Sequence, residues 1–132
     1  MSRFRAGWRA PIIVTPMRNP ELIYKIATPD VVEAARATGT FTGMPIDDAD
    51  GYLHFSTAAQ LRETLRLYFA GTSPVLIAVR SYDMGAALRW EPSRGGQLFP
   101  HVYGTFPMGA VVHEEPVTVA PDGAVELPEW VR

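Results

Sequence analysis

The hydrophobic pattern of the chain is helical in two places in its first half and changes to short apolar runs in its second half. One helix is predicted after Thr28, a good N-cap, and it ends at Gly39, a residue that tolerates the left-handed conformation. A second helix is predicted after a capping box of Thr57 and Gln60, because apolar residues then recur at helical spacing as far as Gly71. These are the two main helices that the pattern predicts.

Short apolar runs bounded by turn residues predict the strands. Val75 to Val79 is continuously apolar, which is typical of a central strand buried on both faces. Residues 41–50 carry glycine, proline and three aspartates and are predicted as a loop, and Phe106-Pro107 is predicted as a turn. The other predicted strands are Leu22 to Ile26, Tyr52 to Phe55, Leu88 to Glu91, Leu98 to Tyr103, Ala110 to His113 and Val117 to Val119.

Two helices followed by mostly β structure predict an α+β fold with a mixed, mostly antiparallel β-sheet. The chain has 132 residues, which is the length of one domain, and we expect that domain to span residues 21–132. Residues 1–20 are predicted to be an N-terminal arm, either poorly ordered or an extension created by a start codon assigned too early.

Composition narrows the classes of function. The chain is 47% hydrophobic and 20% charged, which is typical of a soluble globular protein, and no apolar run approaches the length that crosses a bilayer. We therefore expect a cytoplasmic protein without a membrane partner. The net charge of −2 does not indicate a basic surface for binding the phosphate backbone, so no duplex nucleic acid is predicted as a partner.

Side-chain chemistry is limited to histidine, hydroxyl groups and carboxylates, because the chain contains no cysteine. The chain contains neither a Gly-x-Gly-x-x-Gly sequence nor a Walker A sequence, so neither a Rossmann nor a P-loop nucleotide site is predicted. His54, His101 and Glu91 could supply three ligands to a metal ion, but no local spacing such as His-x-x-x-His supports one, and no metal site is predicted.

Two polar islands in apolar strands carry the candidate chemistry. In the first, His54 and Ser56 share a strand face with Tyr52, and the strand runs directly into a helix N-terminus. The free amides of such a terminus suit a phosphate or a carboxylate of a ligand. In the alternative interpretation, Ser56 or Thr57 merely caps the helix and His54 bonds a backbone carbonyl.

The second island joins Glu91 to the pair His101 and Tyr103, which also share a strand face. Glu91 could form an ordinary surface pair with Arg89, or it could be partly desolvated between Trp90 and Pro92, with a raised pKa suited to proton transfer. His101 and Tyr103 fit a structural corner as well as the wall of a binding site.

The order of these segments closely resembles the bacterial family called domain of unknown function 952 (DUF952). The resemblance covers about residues 22–115. The segments that carry it are Ile23-Tyr24-Lys25-Ile26, Asp50-Gly51-Tyr52-Leu53-His54-Phe55-Ser56-Thr57-Ala58-Ala59-Gln60, Leu88-Arg89-Trp90-Glu91, Phe99-Pro100-His101-Val102-Tyr103-Gly104 and Ala110-Val111.

The family is similar in outline to the ADP-ribosyltransferase-like fold, in which a split β-sheet surrounds NAD. The resemblance implies that Lys25 occupies a first-strand position where many relatives carry histidine, that His54 and Ser56 form a second-strand polar wall, and that Glu91 or His101 stands near the reacting ribose. Lysine cannot accept a hydrogen bond from a ribose hydroxyl, which is a departure from that pattern.

The function predicted on this basis is binding of a nucleotide of the NAD or ADP-ribose type, or an ADP-ribosyl-transfer-like activity with NAD as the substrate. The alternative is a non-catalytic domain that binds a small ligand or a protein. No cofactor and no oligomeric state are predicted. The predicted catalytic residues are Glu91 and His101, and the predicted ligand-binding residues are Lys25, His54, Ser56, Thr57 and Tyr103.

Overall fold

A computed structural model describes residues 21–132, so the predicted N-terminal arm lies outside the described residues. Within the described part of the chain, no helix is both long enough and apolar enough to cross a membrane. The helices are α1 (Pro29–Thr38), α2 (Pro45–Asp50) and α3 (Ala58–Tyr68), and the strands are β1 (Leu22–Ala27), β2 (Thr40–Phe41), β3 (Leu53–His54), β4 (Val75–Arg80), β5 (Leu88–Pro92), β6 (Leu98–Val102), β7 (Phe106–Pro107) and β8 (Val111–Pro116).

Six of these strands form two three-stranded sheets. The large sheet has the order β1-β4-β8, and the small sheet has the order β3-β6-β5. All of their strand pairs are antiparallel, which confirms the expected α+β fold with mostly antiparallel sheets. The strand predicted to be central, β4, does lie between two partners.

The two sheets meet at a seam formed by one isolated bridge between Tyr24 of β1 and Ser56 just after β3. The Tyr24 amide donates to the Ser56 carbonyl oxygen at 2.9 Å, and the Ser56 amide donates back to the Tyr24 carbonyl oxygen at 2.9 Å. Because this pair of hydrogen bonds is the one backbone bridge between β1 and the end of β3, the two sheets diverge beside it. A cleft opens at that divergence.

Alternate residues of β1 and β4 enter two separate hydrophobic cores, which explains why both strands are apolar almost throughout. Ile23 and Ile77 belong to the core that includes residues of α1, whereas Tyr24 and Leu76 belong to the core that includes residues of α3. The large sheet is therefore covered by a helix on each face.

Both main helices begin where the sequence predicts them, but α3 ends at Tyr68 with Phe69 as its C-cap, before the predicted stop at Gly71. Gly39 ends α1 in the left-handed conformation at a φ of 85°. The predicted capping box precedes α3: Thr57 Oγ1 accepts from the Gln60 amide at 3.3 Å, and the Thr57 amide donates to Gln60 Oε1 at 3.0 Å.

The prediction of a loop over residues 41–50 is wrong, because α2 occupies most of that segment. Pro45 suits the first helical position, and the Met44 amide donates to the Asp47 carboxylate three residues later at 2.6 Å, so the polar residues cap a helix. Gly51 ends α2 at a φ of 87°.

Two smaller predictions in the second half are also wrong. Phe106-Pro107 is a short strand rather than a turn, because Phe106 pairs with Phe41 and their stacked rings lie 4.9 Å apart in the core. Val117 to Val119 is not a strand, since within it only Val119 forms a bridge, an isolated one with Val125.

Candidate functional site

Strand alternation places most of the predicted polar residues on one face of the small sheet. His54 on β3 pairs directly with His101 on β6, and Leu53 pairs with Val102, whose side chain lies in the core. Hydrogen bonds and ring contacts then join His54, His101, Glu91 and Tyr103 through the ring of Tyr52. The two polar islands therefore form one cluster.

The most ordered part of this cluster is a hydrogen-bonded pair of His101 and Glu91. His101 Nδ1 lies 2.7 Å from Glu91 Oε1, the Tyr103 hydroxyl donates to the same oxygen at 2.8 Å, and the Tyr52 ring stacks on His101 at 4.2 Å. Because an ionised carboxylate only accepts hydrogen bonds, Nδ1 carries the proton. Nε2 has no hydrogen-bond partner among the described residues, and the His101 side chain is 3% exposed.

The carboxyl group of Glu91 differs from the expectation. Hydrogen bonds from His101 and Tyr103 lower the pKa of Glu91 below its ordinary value of 4.5, which is opposite to the raised pKa of the desolvated alternative. No ion pair with Arg89 is formed; the Arg89 guanidinium instead lies 5.0 Å from the centre of the Tyr103 ring. Glu91 is thus suited to hold an imidazole rather than to donate a proton.

His54 is held differently, because both of its ring nitrogens contact carboxylates. Nδ1 lies 2.7 Å from Asp47 Oδ1, and Nε2 lies 2.8 Å from Asp50 Oδ2. Each ring nitrogen of His54 is therefore engaged by a carboxylate. The alternative in which the His54 ring bonds a backbone carbonyl is not what the structure shows.

Asp47 is the buried centre of this arrangement, and the sequence did not single it out. Its carboxylate accepts from Lys25 Nζ at 2.8 and 2.9 Å, from the His54 amide at 3.0 Å and from the Met44 amide. Burial opposes ionisation, but the hydrogen bond from His54 and the charge of Lys25 outweigh it and lower the pKa of Asp47 to about 2. The signal was the spacing of Asp47 after Pro45, which matches a helix N-terminus.

Lys25 is buried beside the cleft with its ammonium group engaged. Besides Asp47, Nζ donates to the His54 carbonyl oxygen at 2.9 Å. Burial lowers the pKa of Lys25 from its usual 10.5, and the adjacent Asp47 carboxylate opposes that shift. The observed role of Lys25 is to tie β1 to α2 and β3, and its contact with a ligand stays a prediction.

A cleft of about 580 Å³ lies beside the seam. It contains four of the predicted site residues, namely Lys25, His54, Ser56 and His101, whereas Thr57, Glu91 and Tyr103 do not line it. Thr57 caps α3. Glu91 bonds the lining residue His101, and Tyr103 bonds Glu91. The lining residues are Tyr24, Lys25, Ile26, Met44, Ile46, His54, Phe55, Ser56, Thr64, Tyr68, Phe69, Ser93, Arg94, Phe99 and His101.

Arg94 is a cleft residue that sequence reasoning missed, because a lone arginine before Gly95-Gly96 looks like an ordinary turn residue. Its Nη1 donates to Thr64 Oγ1 at 3.1 Å, and its guanidinium lies 5.0 Å from the centre of the Phe99 ring. No Asp or Glu is found among the described residues that line the cleft. The cleft therefore presents a cation without a carboxylate partner in its wall.

Aromatic and aliphatic side chains are exposed on the remaining wall of the cleft. Tyr68 is 66% exposed and Ile46 is 56% exposed, and both line the cavity. Ser56, in contrast, is buried and its hydroxyl lies 3.3 Å from Thr64 Oγ1. Between residues 21 and 132, no group of three His, Cys, Asp or Glu side chains is arranged to hold a metal ion.

Comparisons with known proteins identify relatives of this chain. Solved structures of protein CC0527 from Caulobacter crescentus are 40% identical to it over 80% of its length. The crystal structure has a TM-score of 0.75 and is covered to 93%, and the solution NMR structure has a TM-score of 0.70 and is covered to 91%. Among curated proteins, no significant match is found. The model of the family described as "Protein of unknown function (DUF952)" matches residues 26–114, and this protein belongs to that family.

Proposed function

We propose that the cleft beside the seam binds a small anionic ligand that carries a planar ring, of the nucleotide type. The observation that carries the proposal is Arg94, whose guanidinium lies in the cleft wall over Phe99 with a hydroxyl rather than a carboxylate as its partner. A guanidinium offers several donors in a fixed plane and suits a phosphate group.

The rest of the wall suits the ring and sugar of such a ligand. Tyr68 and Phe69 provide aromatic surface at the cleft, and the hydroxyl groups of Ser56, Thr64 and Ser93 provide polar partners. A volume of about 580 Å³ falls within the range of roughly 300–1,000 Å³ that small-molecule sites occupy.

The described cleft supports binding more strongly than ADP-ribosyl transfer. Rupture of the nicotinamide glycosidic bond passes through a cation-like state that a carboxylate against the ribose would stabilise. Glu91, the predicted carboxylate, faces His101 and does not line the cleft. ADP-ribosyl transfer, with NAD as substrate and an ADP-ribosyltransferase-like fold, therefore stays a prediction from the resemblance.

The test is an NMR titration of isotope-labelled protein with ADP-ribose, NAD and adenosine. We expect saturable shifts around Arg94 and Thr64 with the two phosphate-containing ligands and much weaker shifts with adenosine. Arg94→Gln should weaken binding of ADP-ribose by about 10-fold to 100-fold, since hydrogen bonds to charged groups contribute about 1.5–3 kcal/mol each.

Arg36→Gln is the matched control, because Arg36 lies on α1, forms an ion pair with Glu114 and does not line the cleft. This variant should bind ADP-ribose like the wild type. An absence of shifts at millimolar ligand would sink the nucleotide proposal and favour a protein segment as the occupant of the cleft. Equal affinities for Arg94→Gln and wild type would remove Arg94 from the site.

A further inference from the structure

We infer that His101 is a general base that activates water for hydrolysis of a phosphoanhydride bond in a cleft-bound nucleotide. The inference rests on the proposed function and adds a reaction to it. It starts from the hydrogen-bonded pair of His101 and Glu91, in which one ring nitrogen is fixed and the other has no partner among the described residues, in a side chain that lines the cleft.

Three contacts fix the orientation of the His101 ring. Glu91 holds Nδ1 at 2.7 Å, the Tyr103 hydroxyl holds the same Glu91 oxygen at 2.8 Å, and Tyr52 stacks on the ring at 4.2 Å. With the proton on Nδ1, the lone pair is on Nε2, the nitrogen that has no partner among the described residues. Glu91 is thus a positioning residue that would also stabilise the imidazolium formed when Nε2 accepts a proton.

The position of Arg94 relative to His101 suits a diphosphate. The guanidinium lies over Phe99, and Phe99 is two residues before His101 on the same face of β6. Two residues along a strand correspond to about 7 Å. Because Arg94 and His101 both line the cleft, the proposal places the phosphate held by Arg94 with the adjacent phosphorus of a diphosphate on the His101 side and the attacking water between Nε2 and that atom.

The leaving group decides which bond this site can hydrolyse. The other histidine in the wall, His54, has both nitrogens committed to Asp47 and Asp50, and the Tyr103 hydroxyl is committed to Glu91. No free imidazolium or carboxylic acid therefore remains among the described lining residues to protonate a leaving oxygen. A phosphate monoester anion departs without that help, whereas an alkoxide does not.

The reaction balances with water as the only co-reactant. Water loses one proton to His101 Nε2 and forms a new P–O bond, the bridging P–O bond breaks, and its electron pair leaves with the departing nucleoside monophosphate or sugar phosphate. The imidazolium then returns its proton to solvent. Arg94 neutralises charge on the phosphate that is not attacked.

The experiment follows ADP-ribose by ³¹P NMR in ¹⁸O-labelled water, and it measures binding in the same samples by amide shifts. We expect AMP and ribose phosphate as products, with one ¹⁸O atom in one of them. His101→Asn should bind ADP-ribose and lose about 10²-fold to 10⁴-fold in rate, the range that general-base catalysis contributes. His113→Gln, a histidine stacked on Trp130 away from the cleft, is the matched control and should retain the wild-type rate.

Glu91→Gln separates positioning from a structural role. The neutral amide no longer stabilises the imidazolium, so the acid limb of the pH–rate profile should move to lower pH while binding is kept. Binding without hydrolysis in the wild type, or full activity in His101→Asn, would overturn this inference and leave the binding proposal standing. A lack of binding to any nucleotide would overturn both.

Discussion

Replacing Asp47 by asparagine tests the interpretation of the buried cluster most directly. The side chains of Asp47 and Lys25 are 1% and 3% exposed, and the ammonium lies 2.8 Å from the carboxylate. Asp47→Asn keeps the shape but leaves the Lys25 charge without a counterion, and breaking a buried pair in this way costs about 3–5 kcal/mol. Since a domain is stable by only about 5–15 kcal/mol, urea denaturation followed by circular dichroism should show a large loss.

The pH dependence of stability gives a second estimate of how much Asp47 contributes to the free energy of unfolding. The pKa of Asp47 falls from 3.8 to about 2 on folding, which corresponds to about 2–3 kcal/mol at about 1.4 kcal/mol per pH unit. Because the folded pKa is the lower one, this stabilisation is complete above pH 4 and is lost as the pH falls through about 2. Asp47→Asn should remove this part of the acid sensitivity.

Two controls make the result decisive. Asp48→Asn changes the next residue of α2, which is exposed, and should alter the free energy of unfolding by less than about 0.5 kcal/mol. The double variant Lys25→Met with Asp47→Asn removes both charges and keeps an acceptor oxygen for the amides of Met44 and His54, so it should recover much of the loss. A loss below about 1 kcal/mol in Asp47→Asn, or no recovery in the double variant, would refute the counterion argument.

Two further predictions concern local structure. Gly123→Ala should lower the thermal midpoint, because Gly123 has a φ of 93° and a Cβ there would collide with Cγ of Arg66; an unchanged midpoint would contradict this. Thr57→Ala should cost about 1 kcal/mol in urea denaturation by removing the cap of α3, whereas Thr57→Ser should retain most of it. Equal losses in the two Thr57 variants would show that the hydroxyl does not stabilise the helix.

Capping residues and apolar runs correctly predicted the elements whose formation depends on local sequence. Gly39 and the Thr57 capping box fixed the ends of α1 and α3, and the apolar run of β4 predicted its central place. The segment containing α2 was missed because its glycine, proline and aspartates were interpreted as loop composition, although the spacing of Asp47 after Pro45 matches a helix N-terminus. In contrast, β7 exists because Phe106 packs on Phe41, which is a tertiary effect.

The candidate site was predictable only where local sequence determines which residues share a strand face. Strand alternation was enough to place His54 with its neighbours and His101 with Tyr103, because that rule needs no partner strand. The state of Glu91 was not predictable, since its pKa depends on two donors that only the pairing of β5 with β6 brings near. Arg94 was missed because its importance depends on the cavity around it, which no local pattern records.

The outer strands of the two sheets bear on self-association. Among the described residues, β5 and β8 are the outermost strands, and each ends in an exposed proline, Pro92 or Pro116. β8 also carries the exposed Glu115. Proline removes a backbone donor, and charge opposes the approach of another edge, so neither strand is a good template for cross-β growth. The outermost strands on the two sides of the molecule therefore disfavour aggregation by edge-to-edge pairing between copies of the protein.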